Sequence, residues 1–220
     1  MRTRCPNPKC QHEFDVPDER AGKNGPCPAC GQVITFRSLE ILHKLDRQRA
    51  RLPAQVPLDS GAVAFSGLLE DVRSLWNVGS MFRTADGAGF TRLHLCGITA
   101  YPPRKELSKT SLGAEDHVAW SYHTGALEIL PALKSAGVQI VGLERNAASL
   151  DLPTALAEGK LRTPLCLLVG NEVAGLSAES LALCDVVCHL SMRGVKESLN
   201  VAVAFGIAAY RIAEVLAPKT

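Results

Sequence analysis

The residues best equipped for chemistry fall in four short stretches. In NVGSMFRTADGAGF, residues 77–90, Arg83 stands among small or apolar neighbours: Gly79, Ser80, Met81, Phe82, Thr84 and Ala85. Val78, Phe82 and Ala85 recur at helical spacing, which predicts a short helix with one buried face. Asn77 suits its N-cap, and Gly87 and Gly89 suit an exit that needs positive φ. That pattern leaves Arg83 unexplained, except as a solvated arginine on the outer face. In LLVGNEVAGLS, residues 167–177, Gly170, Asn171 and Glu172 follow an apolar run directly. In LSMRGVKESLNVAVAFGIAAY, residues 190–210, a polar loop leads to Ser198, Leu199 and Asn200, and the chain is then apolar to Ala209. An asparagine heading a buried helix is costly unless hydrogen-bonded, and capping its own helix is one way to achieve that.

The fourth stretch is metal chemistry. Cys5 and Cys10 form a C-x4-C pair, and after sixteen residues Cys27 and Cys30 form a C-x2-C pair. Paired thiolates on tight turns supply two tetrahedral ligands each, as in a zinc ribbon. Gly25 and Gly31 offer turn freedom beside the second pair. So short a segment buries too little apolar surface to fold unaided, so zinc would be part of its folding free energy. His12 could replace Cys10 as a ligand.

These residues need elements to position them. From residue 62 onward, apolar runs at 62–68, 92–97, 118–123, 138–144, 165–170 and 185–191 read as strands. Helices fit at 77–87, 125–136, 177–183 and 197–217. Such alternation predicts an α/β fold, a mostly parallel sheet with helices on both faces. The organisation reads as a zinc-ribbon-like domain at 1–37, a connector helix and linker at 38–61, and the α/β domain at 62–220. The helix 199–209 is apolar all round and rich in small residues, which predicts burial.

Composition narrows the function classes. Hydrophobic residues make up 46% and charged residues 21%, as in soluble globular proteins. No apolar run is of membrane-spanning length and Met1 is followed by Arg2 and Arg4, so a cytoplasmic location is expected. Eight cysteines in that setting point to metal or buried thiols rather than disulfides. Residues 1–51 carry ten Lys/Arg against six Asp/Glu, whereas residues 52–220 carry fourteen against sixteen. A basic head on a near-neutral body suggests a polyanionic partner. The first strand leads into SGLLEDVRSLWNVGS without G-x-G-x-x-G, and the 170–175 turn lacks P-loop spacing, so neither nucleotide motif is present. Cys96, Cys166, Cys184 and Cys188 read as buried small hydrophobes, and Trp76 as a core residue or, alternatively, a ring that could stack on a base. Arg104, Lys105 and Lys109 read, on the residues alone, as a solvated charge run at a helix start.

In this order, the three polar stretches resemble the three motifs of the SpoU-type (TrmH-like) RNA 2′-O-ribose methyltransferases of the SPOUT superfamily. The shared features are Asn-x-Gly-Ser with an arginine six residues after the asparagine, a strand ending in Gly with Glu two later, and a Met-x-Gly loop followed by Ser-Leu-Asn. The resemblance covers about residues 63–217 and departs at Ser191, where many relatives have proline. It implies a sheet whose C-terminal part is threaded into a deep trefoil knot, an exception to unknotted chains. It implies S-adenosylmethionine held by backbone groups at Gly170, Leu190 and Leu199 with Met192 nearby, and a homodimer acting on tRNA or rRNA. Arg83 would lie closest to the reacting hydroxyl, supported by Asn77, Glu172, Ser198 and Asn200, with Glu172 holding Arg83 or Asn77, and the place of Arg104, Lys105 and Lys109 in the family suggests a substrate contact. The competing readings are a non-catalytic RNA-binding protein of the same fold and a zinc-ribbon protein–protein adaptor.

Overall fold

The structure, a computed structural model, describes residues 1–5, 9–42 and 64–217. Packing divides the chain into one unit of Met1–Pro53 with Ser177–Glu179, and another of Ala54–Leu176 with Ser180–Thr220.

The first unit is built from two antiparallel hairpins. β1 (Arg2–Arg4) pairs with β2 (Glu13–Asp15), and β3 (Asn24–Pro26) pairs with β4 (Val33–Thr35). Its core is small: Val16, Ile34 and Phe36 pack with Cys5 and Cys27. Gly31 has the expected positive φ, +73°. Gly25 plays a different part from the one expected: it lies in β3, and a Cβ there would meet the Phe36 ring at 2.5 Å. The connector helix begins at 39–42, where Ser38 Oγ accepts from the Ile41 amide at 3.4 Å. The rest of that helix and the 53–61 linker lie outside the described residues.

The second unit is a seven-stranded sheet, and every neighbouring pair in it is parallel. Its strands are β5 (Phe65–Glu70), β6 (Arg92–Cys96), β7 (Ala119–His123), β8 (Gln139–Leu143), β9 (Leu150–Asp151), β10 (Leu165–Val169) and β11 (Val186–His189). Their order is β7-β6-β5-β10-β8-β11-β9. β5, β6 and β10 are buried at every residue, which is why they read as unbroken apolar runs. The two-residue β9 was not expected, being too short for any periodic signal.

Helices cover both faces. α1 (Leu75–Gly87), α2 (Lys105–Ser111), α3 (Leu130–Ser135), α4 (Leu152–Ala157), α5 (Ala178–Leu183) and α6 (Val201–Leu216) follow in chain order. On one face Phe205 of α6 lies over Gly67 of β5, where a Cβ would meet its ring at 3.1 Å. On the other, Leu68, Ile140, Cys166 and Leu168 pack with Ile129, Leu130 and Leu133, and Leu181 of α5 joins them. The predicted helix at 125–136 is divided into a 3-10 turn at Ala126–Glu128 and α3, with Pro131 in the first turn of α3.

Three readings of helix character are corrected. Ser74 rather than Asn77 caps α1, its side chain accepting from the Asn77 amide at 3.3 Å. Only Gly89 takes positive φ at the exit; Gly87 is inside the helix, where a Cβ would meet Tyr210 Oη at 2.5 Å. α6 is not buried all round. Ala202, Phe205, Ala208, Ala209 and Ile212 face inward, but Val203, Ile207 and Tyr210 are 50%, 42% and 54% exposed.

Candidate active site and cysteine cluster

Polar residues collect where four adjacent strands, β5, β10, β8 and β11, end at their carboxyl edges. Open α/β sheets bind ligands at such an edge, beside the point where strand order reverses. Here β6 and β7 extend the sheet to one side of β5, and the later strands fill the other.

Glu172 is the hub. It follows β10 by three residues, and its Oε2 accepts from the Arg73 amide at 2.9 Å. Its Oε1 accepts from the Ser74 amide at 3.0 Å and from Asn77 Nδ2 at 2.9 Å. Asn200 Nδ2 then donates to Asn77 Oδ1 at 3.1 Å. Asn200 Oδ1 also caps α6, accepting from the amides of Ala202 and Val203 at 2.9 and 3.3 Å. Asn200 therefore caps its own helix and also joins the site. The relay fixes both amide orientations, because each oxygen and nitrogen has a set partner. It also settles what Glu172 holds: the carboxylate grips Asn77 and the turn before α1, not Arg83.

Partial burial works against ionisation of Glu172, but the amides of Arg73 and Ser74, its own amide and the Asn77 side chain outweigh this and lower its pKa. A carboxyl lowered in the folded state contributes stability above its unfolded pKa, and that contribution is lost as pH falls through the folded value. Glu172→Gln should therefore flatten the acid side of the stability profile, measured as melting temperature between about pH 6 and pH 3. An unchanged acid limb would remove Glu172 from that account.

Beside the relay lies a cavity of about 340 Å³. Gly170, Leu190, Met192 and Leu199 all line it, as do Glu172, Ser198 and Asn200. Three neighbouring loops meet there. Gly170 admits no side chain, since a Cβ would lie 2.2 Å from the Gly175 carbonyl carbon. Asn171 closes that turn, accepting from the amides of Val173 and Ala174 at 2.9 and 3.0 Å and donating to the Asp71 carbonyl at 2.8 Å. Ser191 donates to Asp151 Oδ1 at 2.6 Å, so the loop is tied down without proline.

Some lining residues escaped the sequence reading. Glu144 ends the β8 run, and its Oε2 accepts from the Leu176 amide at 2.9 Å. Arg145, His189 and Glu197 also line the cavity, and His189 Nδ1 lies 2.9 Å from Ser149 Oγ. The available signal was position, the first charged or polar residues beyond an apolar strand.

Arg83 lies elsewhere. It is exposed, it does not line this cavity, and among the described residues it has no hydrogen-bond or ion-pair partner. Trp76 is 49% exposed rather than in the core.

In the first unit, the four sulfurs of Cys5, Cys10, Cys27 and Cys30 lie within 4.8 Å of one another. Cys5 Sγ is 3.7 Å from Cys30 Sγ, and Cys10 Sγ is 3.8 Å from Cys27 Sγ. Tetrahedral zinc with Zn–S bonds of about 2.3 Å needs sulfurs about 3.8 Å apart. Burial raises the Cys27 pKa, but the amides of Ala29 and Cys30 and the neighbouring thiols pull it down to about 7. His12 is outside the cluster and stacks on Phe14 at 5.8 Å.

Comparison with known proteins matches residues 66–210 to the SpoU rRNA Methylase family. The chain is 33% identical over 144 residues to a 23S rRNA (guanosine-2′-O-)-methyltransferase, RlmB, of Burkholderia sp, covering 63% of this chain and 54% of that protein. It is 28% identical over 142 residues to the tRNA (guanosine(18)-2′-O)-methyltransferase of Escherichia coli K12, covering 64% and 59%. The chain thus spans a little over half the length of these curated relatives. Among solved structures it is similar to the SpoU methyltransferase AviRb from Streptomyces viridochromogenes in complex with AdoMet. The TM-score there is 0.64 at 27% identity, over 74% of this chain and 65% of that one.

Proposed function

The chain belongs to the SpoU rRNA Methylase family, and on that footing we propose that it transfers a methyl group from S-adenosylmethionine to a ribose 2′-hydroxyl of tRNA or rRNA. The observation that carries this reading is the convergence of all three polar stretches on one cavity edge through the relay of Glu172, Asn77 and Asn200.

The cavity suits the cofactor. Residues 191–199 make no backbone–backbone hydrogen bond among the described residues, which leaves amide and carbonyl groups for a ligand. Glu144, Glu172 and Glu197 and the apolar Leu143, Val169 and Leu190 line the same space. A sulfonium ligand with an ammonium group and an adenine ring asks for that mixture. Gly170, Leu190, Met192 and Leu199 would hold it, and when bound it supplies an electrophilic methyl.

The chain's own part is positioning and charge. Glu172 and Asn200 lock Asn77 beside the cavity, and Ser198 in the lining offers a hydroxyl to the nucleotide. Arg83 stays protonated at any ordinary pH, so it serves as cation and donor rather than base. It orients the RNA phosphate and stabilises the alkoxide left when the 2′-hydroxyl gives its proton to water, the oxygen that then takes the methyl as the sulfonium sulfur leaves as a neutral thioether.

Transfer of label from S-adenosylmethionine into RNA that lacks its own ribose methylation tests the proposal. Label recovered in alkali-resistant dinucleotides supports it, because a methylated 2′-oxygen blocks cleavage of the next phosphodiester. Cofactor binding without any transfer to tRNA or rRNA would favour a non-catalytic RNA-binding protein.

Three attributes belong to the same reading. Zinc would sit among Cys5, Cys10, Cys27 and Cys30, whose spacing matches a tetrahedral site. The cytoplasm suits thiols that must stay reduced. A homodimer is supported by the exposed stripe Val203, Ile207 and Tyr210, which borders a groove of about 540 Å³ against Ser80 and Thr84 of α1. Light scattering should give twice the chain mass, and Ile207→Glu should shift it towards the monomer. A wild-type monomer at micromolar concentration would exclude this interface.

A further inference from the structure

One surface beside the relay has no part in the chemistry just described. Trp76 precedes Asn77 and sits in the first turn of α1 with its indole half exposed. Lys109 of α2 places its Nζ 5.6 Å from the centre of that ring. The two helices that carry the pair are packed closely and hydrogen-bonded. Gly79, one turn on, lets α2 approach so closely that a Cβ there would meet the Leu107 carbonyl oxygen at 2.3 Å. Thr110 Oγ1 also donates to the Trp76 carbonyl at 3.1 Å. Arg83 lies seven residues beyond Trp76, on the same stripe of the helix and about 10 Å further along its axis. Arg104 and Lys105 head α2, with Glu106 the acidic member of that helix.

An exposed indole costs solvation and carries no core function, yet here its backbone is tied to α2 and a cation, Lys109, lies over its ring. That combination fits a ligand with flat π faces joined by phosphates. We propose that Trp76 and Lys109 form a stacking platform for a nucleobase of single-stranded RNA, one next to the nucleotide that Arg83 and the relay address. The base stacks on the indole while Lys109 takes a phosphate charge. Binding of this kind tolerates any base, because every base has a π face, and it requires the RNA to be unpaired at that position. The inference rests on the RNA methyltransferase reading for its orientation but not for its test.

The test uses the full chain and a fluorescein-labelled octa-adenylate, with affinity read by anisotropy. Trp76→Ala should weaken binding about tenfold, the loss of one stacked base, while Trp76→Phe keeps most of the affinity. Lys109→Gln should lower the slope of log affinity against log salt by about one, and Trp76→Ala should leave that slope unchanged. The indole emission that RNA quenches should disappear in Trp76→Phe. Melting temperature and S-adenosylmethionine binding by calorimetry should stay at wild-type values in all three variants, which separates stacking from a structural role. Trp76→Ala binding within twofold of wild type would overturn the platform, as would a quench that persists in Trp76→Phe and so belongs to Trp120. If no variant or wild-type chain bound the cofactor, the methyltransferase reading would fall, and the octa-adenylate titration would still decide the platform.

Discussion

Arg83→Ala should lower methyl transfer by at least about a hundredfold while leaving the fold and cofactor affinity intact. The three parts of this expectation rest on different observations. Arg83 is exposed and without a hydrogen-bond or ion-pair partner among the described residues, so its truncation should change stability by no more than about 0.5 kcal/mol. It does not line the cavity formed by Gly170, Leu190, Met192 and Leu199, so cofactor binding should be unaffected. On the proposed mechanism, the loss of rate follows from removing a cation from the place where negative charge develops. Arg83→Lys should recover only part of it, since a point charge does not reproduce the guanidinium fork. The measurement is single-turnover transfer at saturating cofactor, alongside a melting curve. Near-normal transfer by Arg83→Ala would remove Arg83 from the reaction and return it to the solvated outer face.

On the proposal that zinc occupies the cysteine quartet, its withdrawal should unfold the first unit outright. Among the described residues its core is Val16, Ile34 and Phe36 packed on Cys5 and Cys27, with Met1, Cys10 and Phe14 partly buried against it, which is too little to fold a segment of that size. Structural zinc in comparable sites contributes about 10–16 kcal/mol, far more than such a core supplies. A strong chelator, or Cys27→Ser, should make the remaining cysteines of the quartet reactive to alkylation and collapse the amide dispersion of residues 1–36. Metal affinity should weaken on acidification, because protons compete for the same thiolates. Protein purified without added metal should carry one zinc per chain; a stoichiometry well below one, or an unchanged spectrum after chelation, would rule out a structural metal.

Much of this architecture was legible because it depends on local pattern. Apolar runs gave six of the seven strands of the large sheet to within a few residues, since strands buried on both faces must be apolar throughout. The cysteine quartet was legible for a similar reason, because a hairpin with a tight turn brings its own two thiols together. The errors also have local causes. Asn77 looked like an N-cap because asparagine favours that position, but Ser74 takes it and Asn77 is drawn to Glu172 and Asn200. α6 looked buried all round because composition cannot tell contact with the chain's own core from an exposed stripe.

The sequence by itself determined the inventory: which strands are buried, which helices flank them, which cysteines form the quartet, and which residues can carry charge or donate a hydrogen bond. Only the tertiary structure decided which of those residues meet. Glu172 lies 95 residues from Asn77, and Asn77 lies 123 from Asn200, yet parallel strands and their crossovers bring all three into one relay. The same packing leaves Arg83 and Trp76 on an open helix stripe and sets Lys109 over the indole. The physical reason is that periodicity and propensity act over a few residues, whereas hydrogen-bond partners at strand ends are chosen by sheet order, which no short stretch of sequence encodes.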